Sequence, residues 1–194
     1  MSRRLFSCAG GTLVLPDMVL LDRADGGHLC VDPPRQVWER SELSPMELTQ
    51  WSFLVAAAGA ALLDVLPQLA GGCVNYWEAG NWSLHHDAPP AGAKHAPSHR
   101  RVHLHLFGRS PTAGDADWLW GEAPRFPPFA KRREWAERFA PLAADECAAV
   151  VARAAVLLRD RYGAPQSAVA PWSRCATCEY PTVGAAARCL DCSG

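Results

Sequence analysis

Residues 101–109 read Arg-Val-His-Leu-His-Leu-Phe-Gly-Arg and begin by alternating polar and apolar side chains. A period of two residues is typical of a β-strand with one buried face. The segment therefore predicts a strand with Arg101, His103 and His105 on one face and Val102 and Leu104 on the other. At about 3.3 Å per residue, the two histidines lie about 6.6 Å apart along the strand, so both can reach one ligand.

Two histidines at this spacing have two functional interpretations and one structural interpretation. They can perform nucleophilic or acid–base chemistry on a phosphorus centre, or they can bind a catalytic metal together with a third ligand such as Glu78 or His99. Alternatively, they are ordinary polar residues of a partly exposed sheet. Arg101 and Arg109 favour a phosphate ligand, because a guanidinium group can form bidentate hydrogen bonds with phosphate.

The composition indicates one globular domain with room for an appendage. The chain has 194 residues, of which 49% are apolar and 20% charged, a balance that excludes an intrinsically disordered protein. The formal net charge of -1 argues against bulk binding to nucleic acid or to an anionic membrane, which depends on many Lys and Arg contacts. The sequence shows no sustained apolar span and no convincing signal peptide, so we expect a cytoplasmic protein without membrane attachment.

The remaining patterns predict an alternation of short strands and helices. Short β-type runs occupy residues 13–15, 18–21, 28–32 and 73–77. Ser44-Pro-Met-Glu47 combines a serine N-cap, a proline at the first helical position and a glutamate three residues after the cap, so a long helix begins there and ends before Pro67. A second helix is expected from about residue 143 to 162, and the Pro- and Ala-rich residues 87–98 predict a surface loop.

Three further blocks of sequence accompany the motif at residues 101–109. The segment Gly27-His-Leu-Cys-Val-Asp-Pro-Pro-Arg-Gln-Val37 reads as a strand and a turn. Glu42-Leu-Ser-Pro-Met-Glu47 opens the long helix, and Glu78-Ala-Gly-Asn81 precedes the loop. In this order, over about residues 10–110, the four blocks resemble the histidine triad family and, within it, the fragile-histidine-triad branch of diadenosine polyphosphate hydrolases.

The resemblance implies an α+β fold with an antiparallel sheet of about five strands and a long helix, commonly as a homodimer. It implies cleavage at the α-phosphate of a dinucleoside polyphosphate or related nucleotide conjugate, through a nucleotidyl-histidine intermediate. His103 matches the family's nucleophile, and His105 matches the histidine that donates to a phosphate oxygen. Asn81 matches a donor near the phosphate oxygens, Asp22 matches a ribose-binding residue, and Arg109 is expected to bind substrate.

Arg101 stands where the family has its first histidine. One interpretation is loss of turnover, which would leave a nucleotide-binding or adaptor protein. We prefer a second interpretation, because the nucleophile is retained: the permanent cation favours the neutral form of His103 and binds the polyphosphate. The same motif serves nucleotidyltransferases, so transfer is an alternative to hydrolysis. The chain between Asn81 and Arg101 is longer than in the family, and this loop is either a flap over the site or a surface decoration.

Four cysteines near the C-terminus form two C-x-x-C pairs, Cys175 with Cys178 and Cys189 with Cys192. Their spacing predicts a structural Zn²⁺ held by four thiolates, with no organic cofactor. We therefore expect a histidine-triad-like nucleotide-binding catalytic domain at residues 1–112 and an aromatic connector with a helical extension at residues 113–167. A zinc-binding tail follows at residues 168–194. The connector's aromatic residues are expected to pack on the domain rather than to stack on a base.

Overall fold

A single five-stranded antiparallel sheet organises the protein, which we describe from a computed structural model covering residues 2–163. The strand order is β1-β2-β3-β5-β4, so the last strand in the chain lies between β3 and β4. The strands are β1 (Arg3–Cys8), β2 (Gly11–Leu15), β3 (His28–Asp32), β4 (Cys73–Ala79) and β5 (His103–Arg109). Together with the helices, this sheet confirms the predicted α+β class.

The long helix α1 (Pro45–Val65) begins as the sequence predicts. The Ser44 hydroxyl accepts a hydrogen bond from the Glu47 N–H at 3.3 Å, and the Glu47 carboxylate accepts one from the Ser44 N–H at 2.8 Å. Pro45 occupies the first helical position, where its missing N–H costs nothing. This reciprocal capping fixes the first turn of the helix.

The two faces of the sheet have different environments. Leu29 and Val31 of β3 and Leu104 and Leu106 of β5 point toward one face and are buried in the core with residues of α1, including Trp51. The intervening residues of both strands point toward the opposite face. That opposite face therefore carries the polar side chains of β3 and β5.

The remaining helices are short α2 (Ala96–His99), short α3 (Arg132–Ala136) and α4 (Ala144–Asp160), which packs against α1. The connector between β5 and α3 is anchored by Trp118, which is fully buried. The rings of Trp118 and Phe107 have centroids 4.9 Å apart. This agrees with the expectation that aromatic residues pin the connector to the domain, although Trp120 remains 46% exposed.

Three local features differ from the sequence predictions. Residues 18–21 form an irregular segment rather than a strand, and their apolar character reflects burial of Val19, Leu20 and Leu21 in the core. The edge strand β1 was not predicted, because its two arginines hide the alternation. Short α2 lies at the end of the segment predicted to be a loop.

By length and composition, α1 is apolar enough to cross a membrane, the one such helix among residues 2–163. The same properties are found in the central helix of a soluble protein. In this structure α1 contacts β2, β4, β5 and α4, and the apolar character of its inner face is explained by that packing.

Candidate functional site

A cavity of about 460 Å³ opens on the polar face of the sheet. The turn after β4, the short helix α2 and the segment after β2 complete its walls. Four of the residues predicted from the sequence line this cavity together: Asn81, Arg101, His103 and His105. The structure therefore brings the proposed nucleophile and its proposed partners into one concave site, the usual form of a ligand pocket.

A hydrogen bond to the backbone defines the tautomer of the neutral His103 ring. Its Nδ1 lies 3.0 Å from the backbone carbonyl oxygen of Arg101. Because a carbonyl oxygen only accepts hydrogen bonds, Nδ1 carries the proton and donates it. In the neutral ring Nε2 then keeps its lone pair, so His103 presents a nucleophilic or metal-binding nitrogen at the cavity.

His105 is oriented by His28, which the sequence analysis did not single out. The Leu20 N–H donates to His28 Nδ1 at 3.2 Å, so the neutral His28 ring carries its proton on Nε2. That Nε2 donates to His105 Nδ1 across 2.7 Å. His105 consequently accepts on Nδ1 and carries its own proton on Nε2.

Burial keeps both rings of this pair neutral. Desolvation, followed by the charges of His105 and His103, lowers the pKa of His28 well below its usual range. Desolvation, followed by the charge of His103, lowers the pKa of His105 to about 3. The chain of hydrogen bonds from Leu20 through His28 therefore leaves His105 as a fixed N–H donor.

Cys30 lies beside His28 and His105, and the three residues form a candidate metal-binding group. Its Sγ lies 3.3 Å from His105 Nδ1 and 3.6 Å from His28 Nε2. The ligand atoms of His28, Cys30 and His105 all lie within 4.8 Å of one another, so this group could hold a metal ion. However, the nitrogens are at hydrogen-bond distance, and two ligands bonded at about 2.0–2.1 Å to a tetrahedral zinc lie farther apart than this. The present geometry is that of a hydrogen-bonded group, and a metal would have to separate the rings.

No protein-family model matches the sequence, and no curated protein matches it.

Arg101 lies at the rim of the cavity, with its side chain held by the preceding loop. Its guanidinium donates to the backbone carbonyls of Pro97 at 3.4 Å, Ser98 at 3.3 Å and Arg100 at 2.6 Å. The side chain is exposed and lines the cavity. Arg101 thus places a permanent positive charge beside the histidines.

Asn81 reaches the cavity because of the turn at Gly80. Gly80 has a φ of +129°, and a Cβ at this position would lie 2.7 Å from the Arg101 carbonyl oxygen. Only glycine combines this backbone conformation with such close approach. The close contact between the turn and the start of β5 brings Asn81 and Arg101, both of them exposed, to the same cavity.

Two carboxylates that no motif in the sequence marked also line the cavity. Asp17 follows β2, and Asp32 ends β3. Partial loss of hydration raises the pKa of Asp32, whereas the charges of His103 and Arg4 act in the opposite direction. The cavity therefore contains the positive charge of Arg101 and the carboxylates of Asp17 and Asp32.

The structure assigns structural contacts, not cavity contacts, to two predicted substrate-binding residues. Asp22 does not line the cavity: its carboxylate oxygens accept from the Ala24 N–H at 2.8 Å and the Ala140 N–H at 2.7 Å. Arg109 is 4% exposed, and its guanidinium donates to carbonyl oxygens of the connector, including that of Leu119 at 2.7 Å. Both side chains contact the C-terminal extension, and their substrate-binding roles stay predictions from the sequence.

The inserted loop contributes one histidine to the site. His99 lines the cavity, and its Nδ1 lies 3.0 Å from the His95 carbonyl oxygen. Lys94 instead donates to carbonyls of its own loop, including those of Ala88 and Pro90, and His85 stacks on Phe129 with a 4.2 Å centroid separation. These contacts show a loop with its own internal structure, of which the end forms part of the cavity wall.

The missed residues His28, Cys30 and Asp32 share one sequence signal. They alternate along β3 and point to the same face as His103 and His105. Because the residues between them are apolar, the sequence of β3 is typical of a buried core strand. When β3 and β5 pair, every second residue of β3 lies on the same face as the two histidines of β5. The alternation of both strands, considered together, would have identified these three residues.

The four cysteines of the predicted zinc site lie outside residues 2–163, so the structure describes nothing of that site.

Proposed function

We propose that the protein is a nucleotide hydrolase of the histidine triad type, which cleaves at the α-phosphate of a dinucleoside polyphosphate or a related nucleotide conjugate. The observation that carries the proposal is the complementary state of two neighbouring rings. His103 presents an Nε2 lone pair, and His105 presents an Nε2–H donor. A nucleophile beside a donor for the developing oxyanion is the arrangement that phosphoryl or nucleotidyl transfer requires.

The reaction has two displacements. In the first, His103 Nε2 attacks the α-phosphorus, and the bond to the leaving oxygen breaks with its electron pair going to the leaving phosphate. The imidazole of the resulting nucleotidyl-His103 is positively charged. In the second, water attacks the same phosphorus, the P–N bond breaks, its electron pair returns to Nε2, and the proton of water passes to solvent.

The neighbours of His103 support both displacements. His105 donates its Nε2–H to a non-bridging phosphate oxygen as charge builds there, and its low pKa keeps it in the neutral tautomer that His28 selects. Arg101 supplies a fixed positive charge for the polyphosphate at the cavity rim. Because Arg101 also provides the carbonyl that orients His103, replacing the family's first histidine leaves this backbone contact intact.

The test compares the wild type with His103→Ala and with the matched control His86→Ala, whose histidine is exposed on the loop outside the cavity. Each protein is incubated with diadenosine tetraphosphate and with adenosine phosphoramidates. Chromatography follows the products, and intact mass spectrometry follows covalent nucleotidyl-protein. We expect turnover and covalent label in the wild type and in His86→Ala, and neither in His103→Ala. Nucleotide binding without turnover in all three would replace the hydrolase proposal with a binding or adaptor function.

The same intermediate would serve a nucleotidyltransferase. Adding alcohol, amine or phosphate acceptors to the assay separates the two activities, because a transferase forms nucleotidyl-acceptor product in place of the free monophosphate. Hydrolysis that is unchanged by these acceptors favours the hydrolase.

We also propose that the four C-terminal cysteines bind a structural Zn²⁺, on the support of their two C-x-x-C spacings. Full-length protein with Cys175→Ser and Cys178→Ser should lose about one zinc per chain by elemental analysis. Cys73→Ser, which changes an exposed thiol of β4, is the matched control. Zinc that survives in the double variant but is lost in His28→Gln would place the metal in the sheet instead.

The homodimer implied by the family resemblance is a further part of the proposal. β4 is one of the two edge strands of the sheet, and its Tyr76 and Trp77 are 50% and 44% exposed. Among residues 2–163 no strand pairs with its outer edge, and such an edge with exposed aromatic side chains supports pairing with another chain. Analytical ultracentrifugation should give a dimer for the wild type and a monomer for Trp77→Lys, whereas Trp120→Lys should stay dimeric.

A further inference from the structure

Asp32 lies directly across the sheet from the proposed nucleophile. The register of β3 and β5 pairs Cys30 with His105 and Val31 with Leu104, so the next step of the ladder places Asp32 opposite His103. Side chains opposite each other on one face of an antiparallel pair have Cβ atoms about 4.5–5.5 Å apart. Both residues line the cavity, so the carboxylate and the imidazole face one common space.

The second carboxylate of the cavity has a different position. Asp17 lies on the segment after β2, where its Oδ1 accepts from the Ser2 hydroxyl at 3.2 Å and its N–H donates to the same hydroxyl at 3.3 Å. It therefore lies on the cavity wall without occupying the cross-strand position of His103. Asp17 has the same charge and lines the same cavity, so it is a matched control for Asp32.

We propose that Asp32 stabilises the positive charge that His103 acquires when it becomes covalently linked to the nucleotide. The inference rests on the proposed function, because it assigns a role within the nucleotidyl-histidine reaction. It identifies Asp32 as an electrostatic positioning residue that acts through His103 and does not touch the reacting phosphorus.

The role follows from the order in which charges appear. The form of His103 that attacks is the neutral ring, and the phosphates are anionic. Before attack the Asp32 carboxylate is therefore only weakly attracted to the ring and repels the bound substrate. As the P–N bond forms, the ring becomes an imidazolium and the attraction to Asp32 grows. An interaction that is repulsive in the ground state and attractive in the transition state accelerates the first displacement without tightening substrate binding.

This charge order gives a signature that distinguishes Asp32 from a substrate contact. Removing a carboxylate that hydrogen-bonds a ribose hydroxyl would raise the substrate concentration that half-saturates label formation in a single turnover. Removing a carboxylate that pairs with the imidazolium should leave this concentration unchanged or lower it, because repulsion of the phosphates is relieved, while the rate of nucleotidyl transfer to His103 falls.

The experiment measures single-turnover formation and decay of nucleotidyl-His103 by rapid quench and intact mass spectrometry, with diadenosine tetraphosphate as the probe. Asp32→Asn should slow formation about tenfold, which corresponds to about 1.4 kcal/mol, while the diadenosine tetraphosphate concentration that half-saturates formation stays equal to or below that of the wild type. Asp32→Glu, which keeps the charge, should recover most of the rate. Asp17→Asn removes the other carboxylate of the cavity and should lose less rate than Asp32→Asn, because Asp17 does not lie opposite His103. Circular dichroism checks that each variant is folded.

Three outcomes would overturn the inference. A raised half-saturating concentration with an unchanged maximal rate of label formation in Asp32→Asn would make Asp32 a substrate contact, and equal rate losses in Asp17→Asn and Asp32→Asn would indicate only the general charge of the cavity. A wild-type rate in Asp32→Asn would remove the role altogether. Failure of the proposed function is distinguishable from all three, because the wild type itself would then show neither label nor turnover.

Discussion

Acid should destabilise the protein through the buried pair of His28 and His105. Burial lowers the pKa of His28 well below its usual range and that of His105 to about 3. In the unfolded chain each ring titrates near pH 6.5. Between the folded and unfolded pKa values the unfolded chain binds more protons than the folded chain, so the free energy of unfolding falls as the pH falls.

His28 allows the size of this effect to be worked out, because it is 1% exposed. A ring that stays neutral in the folded protein and titrates near pH 6.5 in the unfolded chain removes about 2 kcal/mol of stability between pH 7 and pH 5. His28→Gln removes the titration, while its amide can still donate to His105 Nδ1. The free-energy difference between the wild type and His28→Gln should therefore shift by about 2 kcal/mol over this interval, to the disadvantage of the wild type at pH 5.

The assay is urea unfolding followed by tryptophan fluorescence at pH 7, 6 and 5, with a chelator present so that no metal occupies the histidines. His86→Gln, at an exposed position of the loop, is the matched control and should keep the wild-type pH dependence. If the difference between the wild type and His28→Gln stays constant from pH 7 to pH 5, the reasoning is refuted, because His28 would then titrate equally in the folded and unfolded chains.

The structural contacts of three other residues lead to further predictions. Asp22→Ala should lower the free energy of unfolding by about 2 kcal/mol, since two backbone N–H groups lose their acceptor, and leave KM unchanged; a raised KM in steady-state kinetics would instead restore the ribose interpretation. Arg109→Met should cost about 2–4 kcal/mol in urea unfolding, because connector carbonyls lose their donor; unchanged stability would show that solvent replaces the guanidinium. Gly108→Ala should markedly lower the melting temperature, because its Cβ would lie 2.2 Å from the Gly26 carbonyl oxygen; a wild-type melting temperature would contradict this packing.

Local signals in the sequence were sufficient for the elements that build the site. The alternation at residues 101–107 placed His103 and His105 on one face, and the capping residues Ser44 and Glu47 located the start of α1. Each signal consists of residues that are close together in the sequence, so neither depends on how distant segments of the chain pack.

The contacts that the sequence could not predict join distant segments. Asp22 contacts Ala140, and His28 contacts His105. A polar residue in a turn or a core strand has the same local pattern whether it binds a substrate or a backbone group from elsewhere. Asp22 and Arg109 were therefore interpreted as substrate-binding residues, although their partners belong to the C-terminal extension.

The central position of β5 restricts how this protein can evolve. Its ladder to β3 pairs His105 with Cys30, and its ladder to β4 pairs the same residue with Trp77. Insertion or deletion of a single codon within this strand would turn both histidines into the apolar core and bring leucines to the cavity. Point substitutions can change the site gradually, whereas a change in the length of the strand moves its side chains to the opposite face at once. Relatives that retain these site residues should therefore vary in loop length on either side of the strand and not within it.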